Sequence, residues 1–325
     1  MQWSEHKGYS RMIKENKLTI GLTLPLEHHG QERPTMNDQV ERVQLAERLG
    51  FSAIWFQDVL LEDPTFHDPS TGQVYDSLLY LTYIGAHTTI INLGTAAVVL
   101  SLRHPLRLAK EAATIENLFP ERFMLGISSG DRRRDFEGLH IPIMERGKIF
   151  REAFQFYEHV LHSEYEDYQS PLGKIEGATL VPKPNTPIPT FITGYAQQTL
   201  DWVAEHGDGW MFYPQSLDKQ QSLIKQYRNK VSDKSGVAFK PFFQPLVMDL
   251  AEDPNHEPEK IKLGYKLGSK ALIAWLKEHE AIGVNHVMIS LSNSSREVEE
   301  VMRELGEVVL PHFPPHHTFP FEKER

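Results

Sequence analysis

Between Leu18 and Leu310 the chain repeats one pattern eight times, a short apolar run followed by a longer segment of helical period. That alternation is the strongest constraint in the sequence, because strand–helix repeats bury their strands in a parallel sheet covered by helices. The apolar runs are Leu18–Leu26, Ser52–Phe56, Ile91–Leu100, Arg122–Ile127, Pro189–Thr193, Gly209–Tyr213, Phe242–Leu250 and Val284–Leu291. Their length and residue types suit buried strands. The segments between them carry helix signals. Thr35-Met36-Asn37-Asp38 has the form of a capping box, opening a helix with Val40, Val43, Ala46 and Leu49 on one face and Gly50 as its stop. Pro105 suits the first position of a helix striped by Leu106, Ala109, Ala113 and Leu118. Further helices are expected from about Ser77, over Ile143–Leu161, Ala196–His206, Leu217–Val231 and Lys270–Ile282, and from Ser295 to about Leu310.

Eight such units without a linker between halves predict one α/β domain over 1–325, a (β/α)8 TIM barrel. An open doubly wound sheet usually needs fewer strands, and no G-x-G-x-x-G turn follows the first run. Residues 162–188 and 251–268, rich in Pro, Gly and charge, read as rim insertions that shape the substrate pocket, the first as a short strand pair. The second strand is followed by a long loop around Asp63 to Tyr75.

Composition excludes several function classes. Lys and Arg number 34 against 44 Asp and Glu, a formal charge of −10 that opposes binding to a polyanion, so no nucleic-acid partner is expected. With no cysteine there is no disulfide, thiolate nucleophile or Cys-ligated metal. Residues 1–17 are polar and mixed in charge, and no run is long enough to cross a bilayer, which predicts a cytoplasmic protein with no membrane partner. Histidines number 16, yet none has H-E-x-x-H spacing, and no metal site is expected. The run Arg132-Arg133-Arg134 reads as a solvated loop face rather than a phosphate clamp. Trp55, Trp202 and Trp210 read as core or interface residues.

In a (β/α)8 barrel the active site lies at the C-terminal ends of the strands, so the strand list is also a site list. Two strand ends suit a phosphate. Ser128-Ser129-Gly130 is small and hydroxylated, and Gly194-Tyr195-Ala196 leads into a helix whose free N–H groups favour an anion, with Thr199 able to add a hydroxyl. His28, His29, Asp58 and His104 stand at or near strand ends as candidates for proton transfer.

At the third and fourth strands the sequence resembles the luciferase-like monooxygenase family. The residues that carry the resemblance are Asn92-Leu93-Gly94-Thr95-Ala96-Ala97-Val98-Val99-Leu100, Arg103-His104-Pro105-Leu106, Ala109-Lys110-Glu111, Arg122-Phe123 and Leu125-Gly126-Ile127. Ala46-Glu47, Leu49-Gly50-Phe51, Trp55-Phe56, Asp58 and Gly207-Asp208-Gly209-Trp210 extend it, and it runs from about residue 18 to 310. The family's fold is a (β/α)8 barrel, and its members bind FMN or, in one branch, a deazaflavin. The resemblance therefore implies that Thr95, Ala96 and Ala97 pass close to a flavin ring, with a non-prolyl cis bond aligned to Ala96–Ala97. Ser129, Tyr195, Ala196 and Thr199 fall around the phosphate by the same alignment. Two departures matter. Ser129 stands where bacterial luciferase has a phosphate-binding arginine, and Val59-Leu60 replaces a histidine pair after the second strand. The expected function is an FMN-dependent two-component monooxygenase, in which a separate flavin reductase supplies reduced FMN for oxidation of a small organic substrate by oxygen. The alternatives are a deazaflavin-dependent hydride-transfer enzyme and a flavin-binding protein with little catalysis. A homodimer is expected on the same resemblance.

Overall fold

The computed structural model describes residues 3–30, 32–66 and 74–317. Residues 67–73 of the expected long loop lie outside that description. The barrel strands are β1 (Thr19–Thr23), β2 (Ala53–Phe56), β3 (Asn92–Thr95), β4 (Phe123–Ser128), β5 (Thr190–Thr193), β6 (Gly209–Met211), β7 (Phe242–Leu250) and β8 (His286–Ser290). Each pairs in parallel with the next. Closure comes from β8 on β1, in register from Thr19 opposite His286 to Thr23 opposite Ser290. The result is the predicted eight-stranded TIM barrel.

Helices cover the outside: α1 (Gln39–Leu49), α2 (Ser77–Ala86), α3 (Pro105–Leu118), α4 (Arg146–His162), α5 (Leu200–His206), α6 (Leu217–Ser235), α7 (Ser269–Ala281) and α8 (Val298–Glu304). Their buried stripes meet the outward strand residues, as Leu108, Ala109, Ala112 and Ala113 of α3 do. No helix among the described residues is long and apolar enough to cross a membrane.

The barrel interior has its own cluster, including Trp55, Met124, Phe191, Met211, Phe243 and Met288. Trp55 is fully buried there and needs glycine on two neighbouring strands. A Cβ on Gly21 would lie 2.8 Å from Trp55 Nε1, and one on Gly94 would run into the six-membered ring. Trp55 Nε1 donates to His286 Nε2 at 2.9 Å, and Thr19 Oγ1, which lies 2.8 Å from His286 Nδ1, donates to Met12 O at 2.8 Å. That chain of donors fixes the proton of His286 on Nδ1. Burial pushes this imidazole down to about 3, so it is neutral at any ordinary pH.

Residues 3–17 hold more structure than the polarity of this segment implies. The helix Lys7–Met12 closes the N-terminal end of the barrel, with Tyr9, Met12 and Ile13 packed into the inner cluster. Buried Arg11 donates to Ser52 O at 3.1 Å, and Asn92 Nδ2 to Gly8 O at 2.8 Å, so polar residues serve as the fasteners.

Three expected elements begin or break elsewhere. The capping box at Thr35 does not form, and α1 starts at Gln39. The buried Glu27 carboxylate takes the N–H and hydroxyl of Thr35 and the Gln39 amide, diverting the capping groups to the end of β1. The third strand is not continuous over 91–100. It ends at Thr95, passes a cis Ala96–Ala97 bond, and resumes as Val98–Val99 beside β4. The fifth helix starts at Leu200 rather than Ala196, because Ala196 and Gln197 have φ of 47° and 58°. Left-handed residues cannot continue a right-handed helix.

Both rim insertions contain hairpins. Tyr168–Ser170 pairs with Gly173–Ile175 and packs on α4, while Glu259–Ile261 pairs with Gly264–Leu267, which adds in parallel to β7.

Candidate active site

The C-terminal ends of the barrel strands enclose one side of a cavity of about 370 Å³, within the range of small-ligand and cofactor sites. Every barrel strand or the loop after it contributes, from Thr23 at the end of β1 to Ser290 at the end of β8. Its wall between β3 and β5 is made of small residues: Ala96, Ala97, Ser128, Ser129, Gly130, Gly194 and Ala196. Gly130 and Gly194 have φ of 73° and 60°, conformations that let the backbone itself form the surface. The opposite wall, with Pro245, Leu246, Val247 and Met288, is apolar. Leu263, at the turn of the second insertion hairpin, reaches the cavity, whereas no residue of 162–188 lines it.

Of the sequence candidates for a cofactor, Ala96, Ala97, Ser128, Ser129, Gly194, Tyr195 and Ala196 line the cavity. Thr95 lies beneath them, fully buried, its hydroxyl donating to Gly126 O at 2.8 Å and accepting from Gly126 N at 3.0 Å. Thr199 is outside the lining and caps its own helix, accepting from Trp202 N at 3.2 Å. The loop between these positions is held from behind. Trp210 Nε1 donates to Gly194 O at 2.6 Å, and Gln198 Nε2 to Gly147 O at 2.7 Å. Among the described residues the N–H groups of Tyr195, Ala196 and Gln197 find no protein acceptor.

The four proton-transfer candidates are not brought together. Asp58 lines the cavity, but its carboxylate accepts from Val99 N at 3.0 Å, Ser77 Oγ at 3.0 Å and Arg103 Nη2 at 3.1 Å. It thus braces the backbone just beyond the Ala96–Ala97 bond. Arg103 also meets Asp76 at 2.6 Å, and these acids hold its guanidinium charged. His28 is exposed on the loop after β1, and His29 faces Glu32 O at 3.1 Å, with burial pushing its ring below the usual histidine range. His104 caps α3, accepting from Leu106 N through Nδ1 at 3.3 Å and donating through Nε2 to Leu172 O at 2.9 Å. None of the three histidines lines the cavity.

Strand-end reading stops at Asp131 after the fourth strand and misses wall residues further along the chain. Asp131 and Asp135 line the cavity beside Arg132, and Arg146 enters from the first turn of α4. The arginine run is not one solvated face. Arg132 is buried, its guanidinium 4.4 Å over the Phe66 ring and its Nη2 donating to Leu61 O at 2.9 Å. Burial raises the Asp135 carboxyl above the usual range, partly countered by Arg132 at 3.5 Å.

A family description, luciferase-like monooxygenase, matches residues 19–257. The chain belongs to the luciferase-like monooxygenase family. F420-dependent glucose-6-phosphate dehydrogenase of Mycolicibacterium gilvum is 24% identical over 197 residues, 59% of this chain and 52% of that protein. The protein of the same description from Kineococcus radiotolerans is 26% identical over 169 residues, 51% of this chain and 49% of its own. The chain thus spans about half the length of the curated relatives it matches. Among solved structures, the monooxygenase RslO1 of Streptomyces bottropensis superposes with a TM-score of 0.77 at 18% identity, covering 91% of this chain and 100% of that one. An F420-dependent secondary alcohol dehydrogenase gives 0.75 at 16%, covering 91% and 99%. The FMN-bound oxygenating constituent of 3,6-diketocamphane monooxygenase of Pseudomonas putida gives 0.72 at 11%, covering 91% and 98%. At these identities the structures establish a shared luciferase-like barrel, and the family's cofactors divide between flavin and deazaflavin.

Proposed function

We propose that this luciferase-like barrel is an FMN-dependent monooxygenase supplied with reduced FMN by a separate reductase. The observation that carries the cofactor site is the small-residue wall from Ala96 to Ala196, which lets a flat ring approach the backbone, beside a loop with unclaimed N–H groups suited to a phosphate. FMN over the deazaflavin is supported by the mouth of the cavity. The three arginines that follow β4 already face acids: Arg132 to Asp135, Arg133 to Glu137 at 3.9 Å and Arg134 to Asp63 at 3.4 Å. With a chain charge of −10, that rim offers little to the acidic tail of a deazaflavin cofactor.

Reduced flavin, when bound, would supply the electrons that activate oxygen. The chain's own residues would position and shield it. Asp58 holds Val99 and the adjoining segment in place, the apolar wall of β7 and β8 excludes water, and Leu263 covers part of the mouth. Of the cavity carboxylates, Asp58 is occupied as a brace and Asp135 is buried against Leu61 and Arg132. A second reading, hydride transfer with the deazaflavin F420, is favoured by the names of the glucose-6-phosphate dehydrogenase relatives.

Anaerobic titration with FMN and reduced FMN, followed by tryptophan quenching, separates the readings. Micromolar or tighter binding with preference for the reduced form is expected. Binding of F420 alone, with F420-dependent dehydrogenase turnover, would replace the first reading by the second.

A further inference from the structure

We propose that the substrate is an uncharged molecule with a hydrocarbon body and one hydrogen-bonding oxygen, held on the arc of the cavity from β6 round to β1. Thr23 meets the oxygen there and Leu263 the hydrocarbon. The proposal rests on the reading that the small-residue wall between β3 and β5 takes a flavin-type cofactor. Charge divides the cavity in two. Among the described residues its charged lining is Asp58, Asp131, Arg132, Asp135 and Arg146, all of which follow β2 or β4. The arc from β6 to β1 contributes Phe212, Pro245, Leu246, Val247, Leu263 and Met288 and, among the described residues, no charged group. A carboxylate or phosphate on the substrate would lose water there and gain no counter-charge, which is costly.

One row of this arc carries the polar contact. Thr23 on β1, Ser290 on β8 and Val247 on β7 are neighbours in register, and all three line the cavity. Ser290 is engaged, its Oγ donating to Ser292 Oγ at 3.1 Å. The Thr23 hydroxyl has no hydrogen-bond partner among the described residues. A hydroxyl can donate to a carbonyl or accept from an alcohol, so it suits one neutral oxygen. Leu263 closes the same row. The strand Gly264–Leu267 lies along β7 with Gly264 opposite Val247, and Val247 N donates to Leu263 O at 3.3 Å. The approach is so close that a Cβ on Gly264 would run into Val247 O. At Leu263 φ is 61°, a turn conformation that glycine or asparagine adopts at less cost. A leucine held there, 42% exposed at the cavity mouth, has an apolar face left for a hydrocarbon to cover.

The test reads binding to the FMN-loaded protein by ligand-observed NMR. The probes are heptan-2-one and cyclohexanone, cyclohexane as a body without oxygen, and hexanoate and glucose 6-phosphate as charged molecules. The ketones are expected to bind at least about 10-fold more tightly than either charged probe. Thr23→Val should weaken the ketones by roughly 3- to 10-fold and leave cyclohexane unchanged. Leu263→Gly should weaken ketones and cyclohexane alike, by roughly 10-fold. Its urea midpoint is expected near wild type, because φ 61° suits glycine, which separates a lost contact from unfolding. Absence of ketone binding, or charged probes binding as tightly, overturns the substrate class and leaves the cofactor reading standing. Equal loss of ketone and cyclohexane in Thr23→Val, or ketone binding untouched by Leu263→Gly, overturns the placement on this arc. Failure of both FMN and F420 to load overturns the cofactor reading and this assignment with it.

Discussion

Gly94→Ala is expected to destabilise the protein by at least about 3 kcal/mol, at or beyond the upper end of ordinary overpacking. Gly94 is on β3, and its missing side chain is the space taken by the six-membered ring of Trp55 on β2. The ring cannot swing aside. Its Nε1 is committed to His286, Gly21 confines the other edge, and Phe243 packs at a ring-centroid distance of 5.9 Å. A methyl group therefore forces either a strand displacement or an off-rotamer tryptophan, in a layer with no free volume to absorb it. The measurement is the urea midpoint of purified protein, and Gly94→Val is expected not to yield folded protein at all. The double variant Gly94→Ala, Trp55→Leu should recover part of the lost stability by removing the ring. A Gly94→Ala midpoint equal to wild type would show that this layer can relax.

Acidification from pH 6.5 towards 4 is expected to remove stability through His286, by an amount on the order of several kcal/mol at full extent. In the native barrel this imidazole stays neutral down to about 3, because burial opposes its charge, while in the unfolded chain it protonates near 6.5. The unfolded state thus binds the extra proton throughout that window. Stability is complete above the unfolded value and declines as pH falls towards the folded one. Two buried carboxyls act in the opposite sense. Burial raises Glu116 to about 7 and Asp208 to about 6, so the native state binds their protons first and stability from them falls as pH rises. The informative quantity is consequently a difference between proteins. His286→Gln should be less stable than wild type at pH 7, having lost the Trp55 and Thr19 partners, and its curve should converge on the wild-type curve as pH falls to 4. Parallel curves across that range would show that His286 titrates alike in both states.

Fold class was legible because strand–helix alternation is a local pattern. Each apolar run from Leu18–Leu26 to Val284–Leu291 overlaps an observed barrel strand, and Phe242–Leu250 is matched end to end. Local signals failed where a distant side chain competed for the same groups. Thr35 looks like a cap until Glu27 is folded beside it, and the third apolar run looks continuous until the Asp58 carboxylate takes the N–H of Val99. The candidate site divides along the same line. Strand ends can be read from the pattern, and the barrel rule places them on one rim, which is why Ala96, Ser129 and Tyr195 were found together.

Which side chains face the cavity, and whether their charges are already met, is a property of three-dimensional neighbours. His28, His29 and His104 have suitable chemistry and strand-end positions, yet each is outside the lining. Arg132, Arg133 and Arg134 are identical letters in a row, but one is buried over Phe66 while the next two face acids at the surface. Arg146 begins an ordinary helix in sequence, and only the closing of α4 against the loop after β5 brings it into the cavity wall. Periodicity by itself determined the barrel, since hydrophobic burial acts on every repeat alike. Packing and long-range hydrogen bonds decided the site, since desolvation and charge pairing depend on groups that meet only after the barrel closes.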